Sequence, residues 1–249
     1  MIIDCHVHPA GAALEPGLLR EVERLGVDRL CVCSLGREWV YEPEPDLCRQ
    51  ANDDVHALMC RYPDLVLGFC YVSPAFPQQA AAEMRRCIED LGMVGLKLWV
   101  AVPADDPRVF PLVEQAVGYG IPILQHAWHK ATGNLPHESF PTQVAALARR
   151  YPEARIIMAH IAGDWRRGVA SVRDCPNVCV DTSGSIMDLG MVEHAVEALG
   201  AERVLFGSDA HGAELAATLG KVLGAEISEE QRRLVLGGNM ERLLAGRVG

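Results

Sequence analysis

Eight short apolar runs, each closing in polar or glycine-rich residues and most followed by an amphipathic helical pattern, constrain this chain more than any other feature. They cover residues 1–8, 28–35, 65–73, 94–100, 121–128, 155–163, 177–184 and 203–209. Between them, segments such as LLREVERLG, ANDDVHALMCRYP and AAAEMRRCIEDLG return an apolar residue every three or four positions, the spacing of one helix face. Gly or Pro ends nearly every one. Gly accepts the left-handed cap, and Pro lacks the N–H that would continue the ladder. Eight strand-helix alternations in 249 residues predict an α/β fold, a closed (β/α)8 TIM barrel forming a single domain over residues 1–249. An open doubly wound sheet competes, but no glycine-rich phosphate loop follows the first run. At the end of the chain, ISEEQRRLVLGGNMERLLAG reads as a helix, a Gly-Gly break and a last helix capped by Asn239, closing the barrel floor or packing outside it.

Charge bounds the partners. A net charge of -10 repels nucleic acid and anionic membrane surfaces, so neither is expected, and a small-molecule substrate is. No apolar run reaches the ~18 residues of a spanning helix, and MIIDCHVHPA lacks the basic-then-apolar layout of a secretion signal. The nine Cys, an odd number with no CxxC pair, read as buried reduced thiols, which places the expected location in the cytoplasm. A homodimer is the default assembly.

The histidines gather at strand ends. In DCHVH, His6 and His8 stand two apart, so both side chains leave the same face of the first strand. His126 falls near the end of the fifth run, His160 near the end of the sixth, and Asp209 ends the eighth. In a barrel these five groups converge on the mouth formed by the strands' carboxy ends, where barrel enzymes keep their sites. Imidazole and carboxylate without thiolate suit a divalent metal, Zn2+ first, with Mn2+, Ni2+ or Fe2+ as the other choices, in a catalytic site of one or two ions. Such a metal brings bound water to a pKa near 7 and polarises a carbonyl.

The elements DCHVH, the His of LQHAW, the His of MAHIAGDW, and LFGSDA followed by GGNMERLL resemble the amidohydrolase superfamily, specifically its amidohydrolase-related branch of TIM-barrel metal-dependent hydrolases and decarboxylases. The resemblance runs from Met1 to the final helix. It implies His6, His8, His126 and Asp209 as metal ligands, His160 as a further ligand or a substrate-facing group, and Asp209 as the group that takes a proton from metal-bound water. It also gives a role to Lys97, the one cation in the apolar run MVGLKLWV, in a chain with three Lys against twenty Arg. In two-metal members a lysine on this strand is carbamylated and bridges the metals; in one-metal members it would stay an ammonium and hold a substrate carboxylate or an internal acid such as Asp4.

Further substrate contacts are expected from the connections at the mouth. The segment 36–45 offers Arg37 and Trp39, with Tyr41, as a grip on an anionic or planar substrate. The loop 128–139 begins with Trp128 as pocket wall and carries His129, Lys130, His137 and Glu138, most of which read as solvated. His211, two residues past Asp209, reads as pocket-lining, Asp181 and Ser183 as supports of the site, and Asp164 as a helix cap. The activity expected is hydrolysis of an amide, cyclic amide, ester or lactone by metal-activated water, with non-oxidative decarboxylation of a small carboxylic acid as the alternative from the same ligands.

Overall fold

A computed structural model describes residues 1–210 and 212–246. Its strands are β1 (Ile3–Val7), β2 (Arg29–Val32), β3 (Val66–Tyr71), β4 (Gly95–Leu98), β5 (Ile123–Gln125), β6 (Ile156–Met158), β7 (Val178–Asp181) and β8 (Val204–Leu205). They lie in chain order and every neighbouring pair is parallel. Helices α1 (Pro16–Leu25), α2 (Pro45–Arg61), α3 (Pro77–Glu89), α4 (Phe110–Tyr119), α5 (Pro141–Arg150), α6 (Trp165–Val172), α7 (Met191–Leu199) and α8 (Leu215–Leu223) return the chain outside the sheet. Four of them start on Pro, whose fixed φ suits a first helical turn and whose missing N–H has no partner to lose there. β8 is short, and the ring is drawn shut by backbone bonds from Cys5 N to Phe206 O (3.0 Å), His8 N to Ala210 O (3.1 Å) and Asp209 N to His6 O (2.8 Å). The chain is a single-domain TIM barrel.

Two apolar layers follow. The larger packs outward strand residues such as Val7, Val32, Leu96 and Val180 against the helices. The inner one stacks Ile3, Cys5, Cys31, Phe69, Leu124, Ile157, Cys179 and Leu205 inside the barrel and is closed below by Met240 and Leu244. Gly95 belongs to this packing, because a Cβ there would stand 2.4 Å from the Phe69 ring. A bulge decides what β1 shows to the mouth. Asp4 pairs with Leu30 and Val7 with Val32, three steps on β1 for two on β2. The extra residue moves the inward position from Ile3 and Cys5 to His6 and His8, while Val7 turns to the outer layer.

The carboxy-terminal segment differs from its sequence reading. Helices α9 (Glu229–Arg233) and α10 (Asn239–Leu243) are joined through a π turn at Leu234–Gly238, so the Gly pair does not break them. Gly237 is small because a Cβ would lie 2.5 Å from Met1 O. Asn239 is no cap; its side chain donates to Ala201 O (2.7 Å) and Val204 O (2.8 Å), tying the floor to β8. Asp164 does cap α6, accepting from Arg167 N. Among the described residues no helix is long and apolar enough to cross a membrane, and all nine Cys are free thiols, eight of them buried.

Candidate active site

His6, His8 and Asp209 bring one donor atom each within 4.8 Å of one another at the mouth. His6 Nδ1 donates to Asp181 Oδ2 (3.0 Å) and His8 Nδ1 to Cys33 O (2.7 Å). That fixes both tautomers and leaves the Nε2 lone pairs, 3.1 Å apart, facing each other and Asp209 Oδ1 at 3.7 and 3.4 Å. Lys97 Nζ, 2.9 Å from His6 Nε2, supplies a cation at this cluster, and two imidazole nitrogens with a carboxylate directed at one point are a donor set that also fits a divalent metal. Burial drives the His6 and His8 pKa values well below the usual imidazole range, with the Lys97 charge adding to it, and neutral rings are the ligating form. Burial raises the Asp209 carboxyl to about 7 against the pull of Lys97; a bound cation reverses that shift.

His160 stands beside this trio on a turn of three left-handed residues, His160 (φ 61), Ile161 (φ 44) and Ala162 (φ 56). Such conformations cost about 1–3 kcal/mol each for side chains other than Gly. They are held because Asp181 Oδ1 accepts from His160 N (2.8 Å) and Ala162 O accepts from His129 N (2.8 Å). Ser183 Oγ, which donates to Asp181 Oδ1, lies 2.9 Å from His160 Nδ1 and 3.1 Å from His6 Nδ1. Asp181 and Ser183 thereby orient both rings at once. Asp209 itself has φ 63, a further strained residue at the site.

Other expected members lie differently. His126 is at the mouth but outside the trio: its Nε2 donates to Glu138 Oε1 at 2.8 Å, and its Nδ1 faces His160 Nε2 at 3.3 Å. Lys97 is fully buried at the base of this cluster, its Nζ 2.9 Å from His6 Nε2 on the side that faces His8 and Asp209, and it does not line the cavity above. It forms no ion pair with Asp4, whose Oδ1 accepts from His6 N and Ser208 N instead. Arg37 misses the site as well; it faces an adjoining pocket with Leu47, Gln50 and Asp54. His211 lies outside the described residues.

Above the trio a cavity of about 400 Å³ is lined by Trp39, Tyr41, Trp99 and Trp128 together with Leu35, Glu38, Lys130, Leu135 and Glu138. Trp39 meets His8 edge-on at 5.4 Å and Trp99 at 6.0 Å; Trp128 lies 4.8 Å from His160. Glu138 corrects the reading of its loop as solvated. It is 3 % exposed and takes hydrogen bonds from Lys130 Nζ (2.8 Å to each oxygen) and Leu135 N (2.9 Å) as well as His126. Burial alone would raise its carboxyl, but these donors outweigh it and bring the pKa to about 2. The only signal for it in the sequence was an acid eight residues from a lysine in a Gly- and Pro-containing loop.

A family model described as Amidohydrolase matches residues 3–245. The chain belongs to that family. Among curated relatives, it is 23% identical over 170 residues to 2-amino-3-carboxymuconate-6-semialdehyde decarboxylase of Dictyostelium discoideum, a match over 59% of this chain and 47% of the relative, so it spans about half that protein's length. It is 23% identical over 248 residues to gamma-resorcylate decarboxylase of Polaromonas sp. strain JS666, covering 80% of this chain and 76% of that one. A solved dihydroxybenzoic acid decarboxylase from Polaromonas sp. JS666, with bound manganese and the inhibitor 2-nitroresorcinol, superposes with a TM-score of 0.75 at 21% identity over 93% of this chain and 86% of the other. The two curated relatives overturn the expectation of hydrolysis. They are named for loss of CO2, and the same donor set that suggests activated water serves a metal-held carboxylate equally well.

Proposed function

We propose that this amidohydrolase family member is a metal-dependent, non-oxidative decarboxylase of a small, planar, aromatic or conjugated carboxylic acid. The observation that carries the reading is the aromatic cavity of Trp39, Tyr41, Trp99 and Trp128 standing directly over the His6, His8 and Asp209 trio. Ring faces and edges suit a flat substrate, and the relatives' decarboxylation supports the reaction. His6, His8 and Asp209 would hold the metal, with His126 and His160 alongside. A bound divalent cation anchors a carboxylate and stabilises the charge that builds up as CO2 leaves. The carbon–carbon bond to the carboxylate breaks, its electron pair stays on the substrate carbon, and a proton forms the new C–H bond. Asp209, whose side chain is 17% exposed, is placed to take a proton from water or the substrate's own acidic group in the cavity and pass it to that carbon. His160, buried between Ser183 and Trp128, orients the substrate rather than ionising.

Manganese and zinc both suit nitrogen and oxygen donors; metal analysis of protein purified without chelators tells them apart, with about one ion per chain expected. Cytoplasmic location and a homodimer complete the proposal, the latter tested by light scattering. The deciding experiment supplies 13C-carboxyl-labelled 2,6-dihydroxybenzoate and related hydroxylated aromatic acids to metal-loaded protein in deuterated water. Labelled CO2 and one deuteron at the vacated carbon are expected. No CO2 from any acid of the panel, with metal bound, overturns the reading.

A further inference from the structure

We propose that the Lys130–Glu138 ion pair confines this site to substrates carrying a single carboxylate. The inference rests on the decarboxylase reading for the place of that first carboxylate, and adds which second group the cavity refuses.

Among the described residues, the cavity wall carries three acids, Glu38, Glu138 and Asp209, and one lysine, Lys130, with no arginine. Lys130 is already committed, its Nζ 2.8 Å from both oxygens of Glu138. Glu138 cannot turn away to release it, because the carboxylate is buried and also held by His126 Nε2 at 2.8 Å and Leu135 N at 2.9 Å. Other cations nearby are placed elsewhere: Lys97 is buried at the base of the metal-ligand cluster against His6 Nε2, Lys221 is bonded to Thr182 O, Gly184 O and Ile186 O, and Arg37 and Arg167 open on adjoining pockets. A first carboxylate is met by the metal site. A second one would lose water and approach Glu38 and Glu138 with no free cation to offset the cost. A hydroxyl or amino group at the same place is welcome, since it donates to those carboxylates. Refusal through unpaired like charge is specificity by repulsion.

The test is binding, read by quenching of the tryptophans in the wall at low ionic strength with the metal-loaded protein. It uses 2-hydroxybenzoate, 2,5-dihydroxybenzoate and the 5-carboxy derivative of 2-hydroxybenzoate, with CO2 release measured in parallel. The two monocarboxylates are expected to bind within about threefold of each other and the dicarboxylate about tenfold or more weakly. Glu138→Gln frees Lys130 and should narrow the gap to about threefold or reverse it. Because that change also touches His126, Glu38→Arg, on an exposed loop position, is the second variant and should narrow the gap in the same direction. Equal binding of the dicarboxylate by the unaltered protein overturns the proposal, as does an unchanged gap in Glu38→Arg. A binding gap without CO2 release from any acid leaves the charge filter standing and defeats the decarboxylase reading. Turnover of the dicarboxylate as efficient as that of the monocarboxylates does the opposite.

Discussion

His6, His8, His160, Asp181 and Asp209 sit on or at the ends of β1, β6, β7 and β8, whereas Glu38, Trp39, Tyr41, Lys130 and Glu138 sit in the connections after β2 and β5. The first group is tied into the barrel's own ladder: Asp209 N bonds His6 O, and Asp181 bridges two strand ends. Within the second, Trp39 and Tyr41 are positioned by edge-on ring contacts with Trp99 and are partly exposed. Geometry that must not drift is carried by backbone, and recognition by side chains that can be exchanged. Glu138 is the instructive exception, a loop residue anchored as firmly as any strand residue. On that ground the charge filter and the aromatic wall should behave differently when mutated.

The sharpest way to break this division is at Asp209. Asp209→Asn should lower turnover about 10²–10⁴-fold while leaving the fold intact, as assayed by CO2 release beside circular dichroism; near-normal turnover would move the proton donor elsewhere. Asp181→Asn should weaken metal affinity about 10–100-fold, measured by competition with a chelator, because His6 and His160 lose their common anchor. An affinity unchanged within error would show that the rings are oriented without it. Below the site, Gly95→Ala should cost about 1–3 kcal/mol in denaturant unfolding through its clash with Phe69, with metal binding preserved. Trp39→Ala should have the smallest effect, raising KM for aromatic acids by up to about tenfold with kcat within about twofold and stability within about 0.5 kcal/mol. If Trp39→Ala cost as much turnover as Asp209→Asn, the division between strands and loops would be wrong.

The barrel was legible because each strand is buried on both faces and so reads as a run of Val, Ile and Leu, and each helix shows its inward stripe. The strand-end histidines were legible for the same reason, since polar groups stand out in apolar runs. The β1 bulge was not: one extra residue leaves composition and spacing unchanged while altering which positions face inward. Nor was the grip on His126, because Glu138 reaches it by folding back a loop with no periodicity, and Arg37 left the site for the corresponding reason. Asn239 resembled a cap because a helix follows it, yet its amide serves carbonyls far along the chain. The choice between hydrolysis and decarboxylation was hidden because ligand chemistry specifies a metal and not the bond it acts on.

The plugged floor has a consequence for traffic. With Phe69 filling the space over Gly95, and Met240 and Leu244 in the same apolar layer, the described residues fill the barrel's floor with side chains. In a decarboxylase built this way, the incoming acid, the departing gas and the ring left behind all use one doorway, hung with Trp39, Tyr41 and Trp128. Under that reading acid and product share a single opening, so each ring left behind would have to clear it before the next acid enters.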